Sequence, residues 1–429
     1  VHLSALTPPE LSLWLDTQFL EADDSSYNIA MAFVAVDIDV DPLRQALQSL
    51  VKRHDALRTS FPLLVDRPCR AVIEGHERDI VSAALLHREQ VQNLDSAILE
   101  ARSFALLPFD TESAPLWRFS LTPLGDDRSL LTFVGHHVAF DGQALALLAK
   151  DLLATYHGMP AQCSLQPKDL VAAIHAEGEG QDQPDAGSLL ASNLARLNSS
   201  PPSPSREQGL IGRMQSLLSP DLPTVVRRLA TSVGVTPFAV LLGSISAMIA
   251  SRTRSPHVVL GVPVSLRTNP SLLHVVGHLT VVAPLSLRWQ VDTDRFVEVL
   301  PRIGDELLDL FTVTERFYGV QQKRSLEESY RLPRRWPTPD FVVGFPPELT
   351  SAHTDNALGQ EIPLEIPRSR YDLNIQFERP GGTWAISLAF NTSIYREDQL
   401  RSWVSGMETI LLQAYNSPLS TIEDALVEK

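Results

Sequence analysis

Near its middle the chain reads EGEGQDQPDAG, then the weakly helical piece LLASNLARL, then SSPPSPSRE, across residues 177–206. Gly, Pro, Ser and acidic residues there replace the periodic apolar residues on either side, and such a stretch buries too little surface to offset the entropy of ordering it. Two bodies are therefore expected, residues 1–176 and 207–429, with 177–206 as a linker. A chain of 429 residues with 44% apolar composition has enough material for two cores.

Each half carries helix and strand signals. Asp41 as a cap with Pro42 at the first position predicts a helix whose buried face is Leu43, Ala46, Leu47, Leu50 and Val51. In the second half Val225, Val226 and Leu229 line a helix stopped by Gly234, and Thr236-Pro237 opens a more apolar helix through Ile249. Strand-like runs are IAMAFVAVDI, SLLTFVG, HVVLGVPV and LTVVAPLSLRW. The fold class is α/β, with a helix-covered mixed sheet in each half and no short-period repeat.

Several function classes recede. The net charge of −15 repels a phosphate backbone, and the cluster Arg331, Arg334 and Arg335 is short enough to be a solvated loop, so no nucleic-acid partner is expected. No apolar run reaches bilayer length, and the N-terminal residues lack a basic region and a cleavage site; the expectation is a cytoplasmic protein with no membrane partner. Cys69 and Cys163 are far apart, in no metal-like or redox spacing, and read as reduced packing residues.

The chemistry concentrates in Gly135-His136-His137-Val138-Ala139-Phe140-Asp141-Gly142. A strand-like run ends at Gly135, and a helical pattern with Leu145, Leu148, Leu152 and Tyr156 follows Gly142, which places the histidines on a loop at a strand end. From this composition a chance H-H-x-x-x-D-G match is expected on the order of one time in a thousand. A neutral imidazole accepts a proton near pH 7, so one histidine could act as general base or orient a nucleophile. Adjacent side chains in extended backbone point oppositely, so one histidine is expected to be functional and one structural. Neighbouring histidines rarely converge on one ion, and neither HxxxH nor HExxH spacing is present, which argues against metal. Asp141 reads as a carboxylate held ionised by an arginine rather than as an acid-base group. Gly142 either lets backbone approach a ligand or permits the turn into the helix.

At these residues the chain resembles the condensation domains of nonribosomal peptide synthetases, almost end to end. LTPPELSLWL with YNIAMAF resembles the family's first motif and following strand. Arg53-His54-Asp55-Ala56-Leu57-Arg58-Thr59-Ser60-Phe61 is similar to its RHExLRTxF motif with Asp for Glu. GVPVSLR, ending at Arg267, is similar to GTPVAGR, and YDLNIQF and FNTSIY resemble its closing strands.

The resemblance implies a V-shaped pseudo-dimer of two chloramphenicol-acetyltransferase-like halves around a tunnel, with bridging segments and His137 at its middle. Donor and acceptor arrive as thioesters on the phosphopantetheine of peptidyl carrier proteins, next to an adenylation domain, and the domain itself holds no metal or organic cofactor. As an isolated domain it would be monomeric. His137 would position the amine and accept its proton, and His136 would stabilise the loop. Asp141 would pair with Arg58 or Arg267, of which Arg267 is preferred; Arg58 also reads as a cation at a helix C-terminus.

Departures bear on subtype. Where the family commonly has GxFVNTxxxR, this chain has Gly277-His278-Leu279-Thr280-Val281-Val282 with Arg288 displaced, so the usual Asn and Thr are lost. His278 reads as a second polar tunnel residue or as a surface strand histidine. Gln143-Ala144 replaces the frequent Trp-Ser. The alternatives are a stand-alone acyltransferase using coenzyme A thioesters, whose DFGWG segment Asp340-Phe341-Val342-Val343-Gly344 matches only weakly, a noncatalytic recruitment module, and an epimerase relative needing an additional glutamate.

Overall fold

The apolar run after Tyr27 forms the strand Asn28–Val36, and the run before the histidines forms Arg128–His136. The two are antiparallel, with Asn28 opposite His136 and Val36 opposite Arg128. Trp117–Gly125 pairs antiparallel on the other side, and Leu85–His87 adds parallel beyond it. These strands belong to a five-stranded mixed sheet whose outer edge is Gln360–Ile362, contributed by the second half, with Glu361 opposite Phe33. Ile362 is buried there beside Ala32 and Val34.

This computed structural model describes the chain except residues 19, 21–22, 66, 126, 160–164, 170–209, 269, 330–339, 346–359, 363, 365–370, 380–382 and 428–429. The linker expected over 177–206, Cys163 and the cluster Arg331, Arg334 and Arg335 lie outside the described residues.

The helix Val40–Arg53 buries Leu43, Ala46, Leu47, Leu50 and Val51, the face expected from their spacing. Its cap is Asp39 rather than Asp41, because Leu43 N–H already bonds the Asp39 carbonyl at 3.1 Å; the Asp41 carboxylate instead pairs with Arg44 on the exposed side. The helix Gly142–Tyr156 packs through Leu145, Leu148 and Leu152 into the same core.

In the second half a six-stranded sheet runs Ile211–Leu217, Ala385–Asn391, Leu373–Glu378, Phe341–Gly344, His257–Ser265, Thr280–Arg288. Phe341–Gly344 is parallel to both neighbours and the other pairings are antiparallel. Leu222–Val233 ends at Gly234 with φ +74°, and Thr236 caps Pro237–Thr253 by accepting from Ala239 N–H at 3.1 Å. Residues Ala239 to Ala250 of that helix are all buried, which explains its apolar composition. Among the described residues no single helix is long and apolar enough to cross a membrane.

The halves meet through more than the donated strand. The loop between Arg267 and Thr280 crosses to the first half, where Val276 joins the core formed by Trp117, Phe140 and Leu148. Gly277 lies so close to buried Pro167 that a Cβ would stand 2.6 Å from the Pro167 Cγ.

Candidate functional site

The site forms where the strand Arg128–His136 runs out. Gly135 is required by packing: a Cβ there would stand 2.8 Å from the ring of Phe140, which is fully buried against Phe133. Phe140 tucked under the strand end turns the chain back, and Asp141 then opens the next helix by accepting from Ala144 N–H at 2.8 Å. Gly142 has no comparable need, since a Cβ there meets nothing within 4 Å. Its exposed backbone leaves open space at the helix start.

The two histidines separate by environment. His136 ends the strand; its N–H donates to the Leu116 carbonyl at 2.9 Å, and its Nδ1 accepts from Val138 N–H at 3.2 Å. Its ring is edge-on to Tyr27 and Phe109. Burial first, then the proximity of His137 and Arg118, lower its pKa to about 3, so it is a neutral acceptor inside the loop. His137 is half-buried and donates its N–H to the Tyr27 carbonyl at 2.8 Å. Its Nδ1 is sealed from solvent without a hydrogen bond. Burial lowers its pKa below the ordinary imidazole value, partly opposed by Asp141 and by the His137 and Phe140 carbonyls.

Asp141 is the hub of the contact between halves. Arg267 grips it with two bonds, Nη1 to Oδ2 at 2.6 Å and Nη2 to Oδ1 at 3.0 Å, and both side chains are buried. Leu279 N–H and the Thr280 hydroxyl each donate to Oδ2 at 2.9 Å. Burial alone would raise this carboxyl, but the Arg267 charge and hydrogen bonds, with His278 and the Ala144 N–H, hold it at about 2. It is a carboxylate throughout the neutral range and has no proton to exchange. Arg267 in turn donates to the carbonyls of Val275 and Gly277. Arg58 is elsewhere, bonded to Asp55 and to the carbonyls of Val51 and Ile73, which makes it the cation at a helix C-terminus.

His278 lies in the loop before Thr280–Arg288 and is only 5% exposed, which removes the reading as a surface strand histidine. Its ring stands edge-to-face on His137, with centroids 4.9 Å apart and planes at 80°. Burial first, then His137, Arg267 and His136, push its pKa well below the ordinary value against the pull of Asp141. Arg288 is at the opposite end of that strand, paired with His257. Among the described residues no group of three or more His, Cys, Asp or Glu could hold a metal ion.

Three supports were not singled out in the sequence: the Tyr27 and Leu116 carbonyls and the Thr280 hydroxyl. The first two act through backbone atoms, which carry no sequence signal. Thr280 donates to Asp141 from within the altered motif.

The Condensation domain family matches residues 6–428. The chain belongs to that family. Condensation domains are the amide-forming acyltransferases of nonribosomal peptide synthetases. Tyrocidine synthase 2 of Brevibacillus parabrevis is 29% identical over 304 residues, which is 68% of this chain but 8% of that protein. The chain thus spans less than a tenth of that relative. The first condensation domain of the calcium-dependent antibiotic synthetase, solved with a substrate analogue, superposes with a TM-score of 0.76 at 20% identity, covering 99% of each chain. A four-domain nonribosomal peptide synthetase bound to AMP and glycine matches with a TM-score of 0.78 at 16% identity, over 99% of this chain and 34% of that one. This condensation domain shares with both the α/β fold of two helix-covered halves.

Proposed function

We propose that this condensation domain joins a carrier-bound acyl or aminoacyl thioester to the amine of a carrier-bound aminoacyl group, with His137 as the catalytic residue. The observation that carries the reading is the place of His137: a half-buried imidazole, its backbone N–H held by the Tyr27 carbonyl, in contact with the loop from the second half through His278. As the amine nitrogen attacks the thioester carbonyl, the amide bond forms and the C–S bond breaks; the proton leaving nitrogen passes to the imidazole and then to the departing thiolate. A pKa below the ordinary value makes His137 a group that orients the amine and holds its proton only briefly. Holding both reactants at one point supplies much of the barrier reduction. Asp141, Arg267 and His136 keep the loop in place, and Gly142 leaves room at the helix start for substrate.

The phosphopantetheine arms belong to the donor and acceptor peptidyl carriers, and an adenylation domain would load them. Carrier contacts add to binding and raise the effective concentration of the arm. A two-carrier assay read by intact-protein mass spectrometry should therefore give at least about tenfold more product from an acyl-carrier than from the same acyl group on coenzyme A. Preference for coenzyme A with a free alcohol or amine would assign a stand-alone acyltransferase instead.

A further inference from the structure

His278 has a cost that packing does not explain. Its ring is buried and its Nδ1 is sealed without a hydrogen bond, whereas an apolar ring of similar size would fill the space with no unpaired nitrogen. The groups around it are His137 and His136 from the motif loop, Asp141 at the helix start and Arg267 from its own loop. Asp141 is fully engaged by Arg267, Ala144, Leu279 and Thr280. The imidazole of His278 packs edge-to-face on the imidazole of His137.

Two groups that serve one tetrahedral carbon must be neighbours. The attacking nitrogen and the oxyanion on such a carbon are about 2.4 Å apart, and each takes a partner at about 2.9 Å, so the two partners stand about 4 to 6 Å from each other. The rings of His137 and His278 are direct neighbours, edge to face with centroids 4.9 Å apart, so both can reach one small reacting centre.

Building on the role of His137 above, we infer that His278 is a second catalytic residue, whose Nε2–H donates a hydrogen bond to the thioester carbonyl oxygen as it becomes an oxyanion. No proton leaves His278. The electron pair of the C=O bond moves to oxygen under that hydrogen bond while His137 takes the amine proton; the pair then returns, the C–S bond breaks and the thiolate takes the proton from His137. A neutral imidazole donates its N–H without bringing a net charge into the buried site, and burial favours the neutral form of His278.

The test compares His278→Phe, which keeps the ring and removes the N–H, with His278→Asn, which keeps a donor. In the two-carrier assay His278→Phe should lose about a hundredfold in kcat or more, with acceptor KM within about twofold. Its thermal midpoint should be no lower than wild type, and the acid limb of its pH profile, set by His137, should not move. His278→Asn should recover at least about tenfold of the loss. A Phe variant within about threefold of wild type, or an Asn variant as slow as Phe, overturns the assignment. Absence of product from wild type itself would instead count against the amide-forming reading. A second measurement does not need turnover: 15N spectra of histidine-labelled full chain should show His278 as the neutral Nε2–H tautomer at pH 7. A Nδ1–H tautomer, or a charged ring, overturns the donor role.

Discussion

Arg267, from the second half of the chain, closes on Asp141 of the first half with two hydrogen bonds of 2.6 and 3.0 Å, both partners buried. The pair ties the helix start that follows the histidines to the loop that carries His278. Removing one partner leaves the other charged and buried, so Arg267→Ala should lower unfolding free energy by about 3 to 5 kcal/mol. Urea denaturation checks this, and Arg58→Ala, whose partner is Asp55, should leave the histidine loop in place.

His137→Ala is expected to reduce amide formation by about a hundredfold or more, with a thermal midpoint close to wild type. The ring is half-buried and its Nδ1 bonds nothing, so little packing is lost. His136→Ala should do the opposite first: losing a buried ring and the acceptor of Val138 N–H should cost about 1 to 3 kcal/mol. Circular dichroism melts beside the two-carrier assay separate the two outcomes.

Acid should weaken the fold in two stages. His136, with a folded pKa of about 3, and His137 and His278, also lowered, bind fewer protons folded than unfolded, so stability declines as pH falls below the ordinary histidine value of 6.5. For His136 the loss is about 1 kcal/mol by pH 5.5. Asp141 follows: its contribution is intact above the ordinary 3.8 and disappears as pH falls through about 2. Urea midpoints between pH 7 and 5 should show the first stage, and His136→Gln should flatten it by nearly one proton.

Gly277→Ala places a Cβ 2.6 Å from the Cγ of buried Pro167, so one of the two must shift. The variant should lose about 1 to 3 kcal/mol and should shift the loop that carries His278. A fall in kcat together with the thermal midpoint is the expected pair of readings.

The composition of residues 177–206 makes that stretch the expected first site of limited proteolysis. The two fragments should stay together on gel filtration, because the Asp141–Arg267 pair and the strand Gln360–Ile362 join the halves independently of that stretch.

Local features were legible in the sequence and long-range ones were less so. The spacing of Leu43, Leu47 and Leu50 predicts a buried helical face because periodicity is a property of neighbours in sequence. The different environments of His136 and His137 arise where the strand ends: His136 is its last residue, and His137 lies in the turn closed by Ala139 N–H on the His136 carbonyl, not in the extended backbone whose alternation the sequence suggests. The partner of Asp141 was narrowed to two arginines only through motif resemblance, since Arg267 is 126 residues away. The cap of the first long helix was misplaced by two residues because Asp41-Pro42 imitates a cap inside a helix that Asp39 had already begun. The place of His278 was undecidable from its strand-like surroundings; it is buried because its loop, not its strand, crosses to the other half.

The short strand Gln360–Ile362 gives the chain an order of completion. During synthesis the first 176 residues leave the ribosome long before residue 362, and Asn28–Val36 then stands as the rim of its sheet with unpaired amides and carbonyls. A nascent chain in that state is open to pairing with any stray extended segment until its own distant one arrives. The first half released alone should therefore self-associate, and a peptide spanning residues 358–364 supplied in trans should suppress that by occupying the rim.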